Sequence, residues 1–98
     1  MIAQIAQMIV DCCRDCGVEP EMVLSKSKTY KASTLRHSLI YYLHTQCGLS
    51  ANKLSRILGV SPRRIYSSAE NIRHRLMYEK SFRAEYDAIL QSIKRRHN

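Results

Sequence analysis

The side chains of this chain with the most usable chemistry are hydrogen-bond donors rather than nucleophiles or metal ligands. Arg63, Arg64, Ser67, Ser68 and Asn71 cluster in the first half of one predicted helix. Arg can donate two parallel hydrogen bonds to guanine, Asn both donates and accepts at adenine, and Ser suits several bases, so together they form a set able to read base edges. Just upstream, Ser50, Asn52, Lys53 and Arg56 have the donor types that suit phosphate oxygens. Lys26, Ser27, Lys28 and Lys31 form a further basic segment able to lie along a phosphate backbone.

Other chemistries find little support. Cys12, Cys13 and Cys16 fall in one predicted helix and Cys47 stands alone, without the paired Cys and His spacing of a zinc finger, so no metal site is expected. Cys13-Arg-Asp-Cys16 matches C-x-x-C, but the redox version opens a helix after a strand and no strand precedes it. The cysteines therefore read as reduced thiols, with Cys12 and Cys16 as small core residues. His37, His44, His74 and His97 are scattered. With no Ser-His-Asp pattern, no paired carboxylates in an apolar setting and no G-x-x-x-x-G-K-[ST] loop, neither an enzyme nor a cofactor is expected.

Charge is unevenly spread along the chain. Residues 1–24 hold one base and four acids, 25–76 hold ten bases and one acid, and 77–98 hold five bases and three acids, within a net charge of +8. Lys and Arg that converge on a polyanion release its counterions, so the basic middle points to nucleic acid as partner. The N-terminal run from Met1 to Val10 is broken by Gln4 and Gln7 and has no basic flank, which gives an amphipathic helix rather than a membrane span or leader. A cytoplasmic location follows as the expectation.

Apolar residues recur at helical spacing and no stretch alternates in twos, so the chain is expected to be all-α, a single domain over 1–98 with five or six helices. The first helix spans about 2–16, with Ile2, Ile5, Ile9, Cys12 and Cys16 on its buried stripe and Gly17 ending it. A short second helix opens at Glu19-Pro20-Glu21 and reaches Leu24. Residues 25–31 read as an exposed loop or arm, and a third helix covers about 33–46 with Leu35, Leu39, Tyr42 and Leu43 inward. Ser50 caps a fourth helix, 51–58, that buries Leu54, Ile57 and Leu58.

The junction Gly59-Val60-Ser61-Pro62 carries the most local information. Gly supplies a left-handed turn residue, Val can plug the angle between two helices, Ser is a good N-cap and Pro a good first helical residue. Two helices meeting at a short turn are therefore expected, the second over about 62–78 with Ile65, Ala69, Ile72 and Leu76 buried. This is the pattern of a helix-turn-helix, in which the start of the second helix enters the major groove and the first crosses the backbone. A last helix spans about 81–95, with Phe82, Tyr86, Ile89 and Ile93 inward and Lys94, Arg95 and Arg96 at its end.

From about Val10 to Arg96 the chain resembles the C-terminal DNA-binding domain of DnaA, the bacterial replication initiator, with its Trp-repressor-like helix-turn-helix. The likeness lies in Leu24-Ser25-Lys26-Ser27-Lys28, Arg36, Gly48-Leu49-Ser50 and Leu54-Ser55-Arg56-Ile57-Leu58-Gly59, at family spacing without gaps. The resemblance implies that a side chain of the basic loop, here Lys26, Ser27 or Lys28, enters the minor groove while the second helix reads the major groove. Where the family has Asp-His-Thr-Thr, this chain has Ser61-Pro62-Arg63-Arg64, which replaces the residues that read the initiator's own binding box. Thr34 stands near the place of a second base before Arg36. The sum is an expected double-stranded DNA-binding protein that regulates replication or transcription, either a free-standing domain or an excised fragment, with the altered reading helix favouring the former.

Two other readings follow from the same residues. A protein-interaction module would use the acidic, Cys- and Met-containing first helix. Its Met8 and Cys13, off the main stripe, also make that helix the candidate surface for a homodimer or another protein partner. An RNA-binding role would need stacking aromatics, for which only Tyr30 stands in the basic region.

Overall fold

The periodic apolar positions become helices throughout. The computed structural model describes residues 2–19, 21 and 30–97, and among these it contains no strand. The helices are α1 (Ile2–Asp15), α2 (Tyr30–Tyr41), α3 (Ala51–Leu58), α4 (Pro62–Tyr78) and α5 (Lys80–His97), with α2 continuing into a π-helical turn over Tyr42–Gln46. No described helix is long and apolar enough to cross a membrane. The expected second helix falls largely outside the described residues, as do Lys26, Ser27 and Lys28.

One core joins α1, α2, α3 and the first part of α4 to the end of α5, through Ile9, Leu35, Leu39, Leu43, Leu54, Ile65 and Ile93. A smaller cluster of Ile72, Phe82 and Tyr86 closes the far end of α4 against α5. The turns that separate these elements are local in origin: Gly17 at φ +73° and Gly59 at φ +69° occupy the left-handed region that side chains with a Cβ avoid.

Three expectations about α1 and the start of α2 change. Met8 is 9% exposed and Cys13 0%, so both belong to the core rather than to an exposed face of α1. The reason is that α1 is covered on two sides, by α5 and by Leu43 and Leu49, which widens its buried face beyond a single stripe. Cys16, expected inside, is only half-buried. Finally, α2 begins at Tyr30 rather than near residue 33, which takes Tyr30 and Lys31 out of the expected arm and into the first helical turn.

Candidate nucleic-acid interface

The candidate residues depend on how α3 and α4 are joined. Ser50, extended at φ −68° and ψ 155°, accepts a hydrogen bond from the Lys53 N–H at 3.1 Å, which caps α3. At the other end the Gly59 N–H donates to the Ser55 carbonyl at 2.9 Å and the Val60 N–H to the same oxygen at 3.3 Å. The Ser55 hydroxyl donates in turn to the Val60 carbonyl, so one residue of α3 holds the turn through both its main chain and its side chain. Ser61 then caps α4 by accepting from the Arg64 N–H at 3.3 Å, with Pro62 in the first turn. Ser50, Ser61 and Pro62 thus have structural duties, and each serine keeps a hydroxyl proton to donate.

The period of α4 sorts its polar residues. Ile65, Ala69 and Ile72 face the core, while Arg63, Arg64, Ser67 and Asn71 are exposed. Ser68 differs from its expected exposed position: it is 6% exposed and hydrogen-bonded to His37 Nδ1 at 2.8 Å. Its place three residues after Ile65 turns it to the margin of the buried face, where α2 covers it.

Between α2 and α4 lies a groove of about 470 Å³. Arg36, His37, Arg64, Ser67, Ser68 and Asn71 supply its polar lining, over Ile40 and Val60. Burial, and after it the charge of Arg64, pulls the Arg36 guanidinium below its ordinary value, although a guanidinium stays charged across any biological pH. Two like charges face one groove here, an arrangement that an anion between them relieves. Burial, then Arg36, Arg75 and Arg64, also hold His37 below the ordinary imidazole range, which keeps it neutral at neutral pH.

The other basic candidates are dispersed. Arg56 is exposed and Lys53 half-buried on α3, in the helix that leads into the turn. Lys31 is apart from this groove, in a separate cavity with Asp15 and Cys16. Arg73 forms a two-pronged pair with Glu70, each bond 2.8 Å. Arg75 stacks 3.9 Å from the Phe82 ring centre and donates to the Tyr30 hydroxyl at 2.8 Å, which itself donates to Glu85 at 3.2 Å. Tyr30, 60% exposed, is therefore an anchor between α2, α4 and α5 through its hydroxyl.

His37 is the residue of this site that the sequence did not single out. Its only local signal is its place beside Arg36, and its partner Ser68 lies 31 residues away. Among the described residues no group of three or more His, Cys, Asp or Glu could hold a metal ion. The chain matches no protein-family model, no curated protein and no solved structure.

Proposed function

We propose that this chain binds double-stranded DNA, with α3 and α4 acting as a helix-turn-helix of the Trp-repressor and DnaA C-terminal type. The observation that carries this reading is the exposed set Arg63, Arg64, Ser67 and Asn71 at the start of α4, beside a groove flanked by Arg36 and Arg64. A helix about 10–12 Å across fits a major groove of about 12 Å, and its first turns are the part that reaches base edges. In this reading Arg63 and Arg64 read bases or clamp the flanking phosphates, and Asn71 and Ser67 extend the contact along the helix. Ser50, Lys53 and Arg56 meet the backbone as α3 crosses it, and the segment with Lys26, Ser27 and Lys28 adds a second, groove-following contact.

The likeness to the replication initiator's domain supports the docking geometry, while Ser61-Pro62-Arg63-Arg64 in place of Asp-His-Thr-Thr supports a different target sequence. A role in control of replication or transcription follows from that combination. The experiment is selection from a random double-stranded DNA pool at near-physiological salt, with the enriched sequences then titrated against scrambled duplex. An enriched motif bound at least about a hundredfold tighter than scrambled DNA is the expected result, somewhat below the usual specific-to-nonspecific ratios because a lone domain reads few base pairs. Equal binding to every duplex would sink the sequence-reading role, and no binding at all would sink the DNA reading.

A further inference from the structure

One aromatic side chain stands exposed among the polar residues at the start of α4. Tyr66 is 57% exposed and directly follows Ile65, which is fully buried. Its ring lies edge-on to His44, with ring centres 5.4 Å apart and planes at 87°, a favourable aromatic arrangement. His44 is itself fixed. Its Nδ1 lies 2.8 Å from the Leu49 carbonyl, and because a carbonyl only accepts, Nδ1 carries a proton and donates it. The Leu49 N–H in turn donates to the Leu43 carbonyl at 3.0 Å, which closes the short connection between the π-helical turn and Ser50, the cap of α3. Tyr66 therefore projects from α4 over an ordered base, toward the connection that leads into α3.

Helical period sets the direction of this side chain. Neighbouring residues leave an α-helix about 100° apart, so Arg64 and Tyr66 emerge on opposite flanks of α4, to either side of buried Ile65. Arg64 takes the flank toward Arg36 and lines the groove between α2 and α4, which Tyr66 does not line. Arg63 and Ser67 lie about 160° from Ile65 and occupy the outward face between the flanks. A helix about 10–12 Å across nearly fills a major groove about 12 Å wide, so its outward face meets base edges and its flanks meet the two phosphate walls. Tyrosine hydroxyls are among the donors that phosphate oxygens accept.

On the reading that α4 enters a major groove, which this inference rests on, we propose that Tyr66 is a phosphate contact: its hydroxyl donates to the DNA backbone on the wall of the groove away from Arg64. Such a contact carries no charge, so it adds a hydrogen bond without releasing counterions. It also holds α4 from the flank that Arg64 leaves open, and so fixes how Arg63 and Ser67 stand over the base edges.

The test titrates the full chain with scrambled duplex, and with any duplex that selection enriches, at several salt concentrations. Tyr66→Phe removes the hydroxyl and keeps the ring against His44, so its circular dichroism and urea midpoint should match wild type. Affinity should fall about tenfold on every duplex, the loss of one hydrogen bond to a charged group, with the salt slope and the sequence preference unchanged. Combined with Arg64→Ala, the two fold-losses should multiply, since contacts on separate walls act independently. Wild-type affinity in Tyr66→Phe with a loss in Tyr66→Ala would assign the contact to the ring, and a changed preference in Tyr66→Phe would assign the hydroxyl to a base. Either result overturns the phosphate contact, and losses that fail to multiply overturn its place on the opposite wall. Absence of duplex binding by the wild-type chain would sink the DNA reading as well, whereas wild-type binding that Tyr66→Phe leaves unchanged sinks this contact alone.

Discussion

His37 Nδ1 and Ser68 Oγ lie 2.8 Å apart and tie α2 to α4 beneath the groove that Arg36 and Arg64 flank. This bond fixes the rotation of α4 about its axis at the level of Ser67 and Asn71. Burial, and after it the charges of Arg36, Arg75 and Arg64, holds His37 below the ordinary imidazole range and so neutral.

Stability should therefore depend on pH through His37. Its folded value is lowered from an ordinary 6.5, so the unfolded chain takes up the proton first as pH falls. The contribution is fully present above about pH 6.5 and is lost progressively as pH falls from there toward the lowered folded value. Urea midpoints taken from pH 7.5 to 5 should decline over that window, and His37→Asn should flatten the decline. An equal slope in wild type and variant would assign the effect to other groups.

Ser68→Ala should cost about 1–2 kcal/mol, because it leaves a half-buried imidazole nitrogen without its partner. Urea unfolding measures that loss, and the same variant should bind DNA with little change in sequence preference at temperatures where it stays folded. A changed preference would mean that Ser68 itself reaches the DNA.

Gly59→Ala tests the turn. A Cβ at Gly59 meets nothing within 4 Å, so the cost arises from the left-handed backbone alone, φ +69°, and should be about 1–2 kcal/mol. Ser55→Ala instead removes the hydroxyl that donates to the Val60 carbonyl. It should loosen the angle between α3 and α4 and so weaken DNA binding more than Gly59→Ala does for the same loss of stability. Binding titrations on both variants, matched for folded fraction, decide this.

What the sequence revealed of this structure follows from how far apart the determining residues lie. The ends of α3 and α4 come out at Ser50, Gly59, Ser61 and Pro62 because caps and left-handed glycines act over three or four residues. The start of α2 does not, since Tyr30 is held by Arg75 and Glu85, 45 and 55 residues away. Helical period marks Ile5, Ile9 and Cys12 as buried, but which flank of α1 is also covered depends on the neighbours that pack there, so the burial of Met8 and Cys13 is not legible from period alone. The burial of Ser68 is hidden for the same reason, its position being marginal on α4 until α2 covers it. Arg63, Arg64, Ser67 and Asn71 were legible because exposure on a helix is what remains once the apolar stripe is assigned.

Two pairs of substitutions should separate base reading from backbone binding. Arg63 and Arg64 are exposed at the first turn of α4, where a bidentate contact to guanine is worth about 1–3 kcal/mol of discrimination. Replacing both by Ala should therefore erode the preference for the selected site over scrambled duplex, lowering specific affinity more than nonspecific affinity. Lys26→Ala with Lys28→Ala removes two charges from the basic segment and should weaken binding to all duplexes alike. The slope of log affinity against log salt should then fall by up to about 2, near 0.9 for each lost phosphate contact. Competition titrations between 50 and 200 mM salt, about the range over which counterion release changes affinity most visibly, measure both quantities. Wild-type behaviour from both double variants would mean that α4 and the basic segment do not face DNA, and the surface of this chain that binds a partner would have to be sought elsewhere.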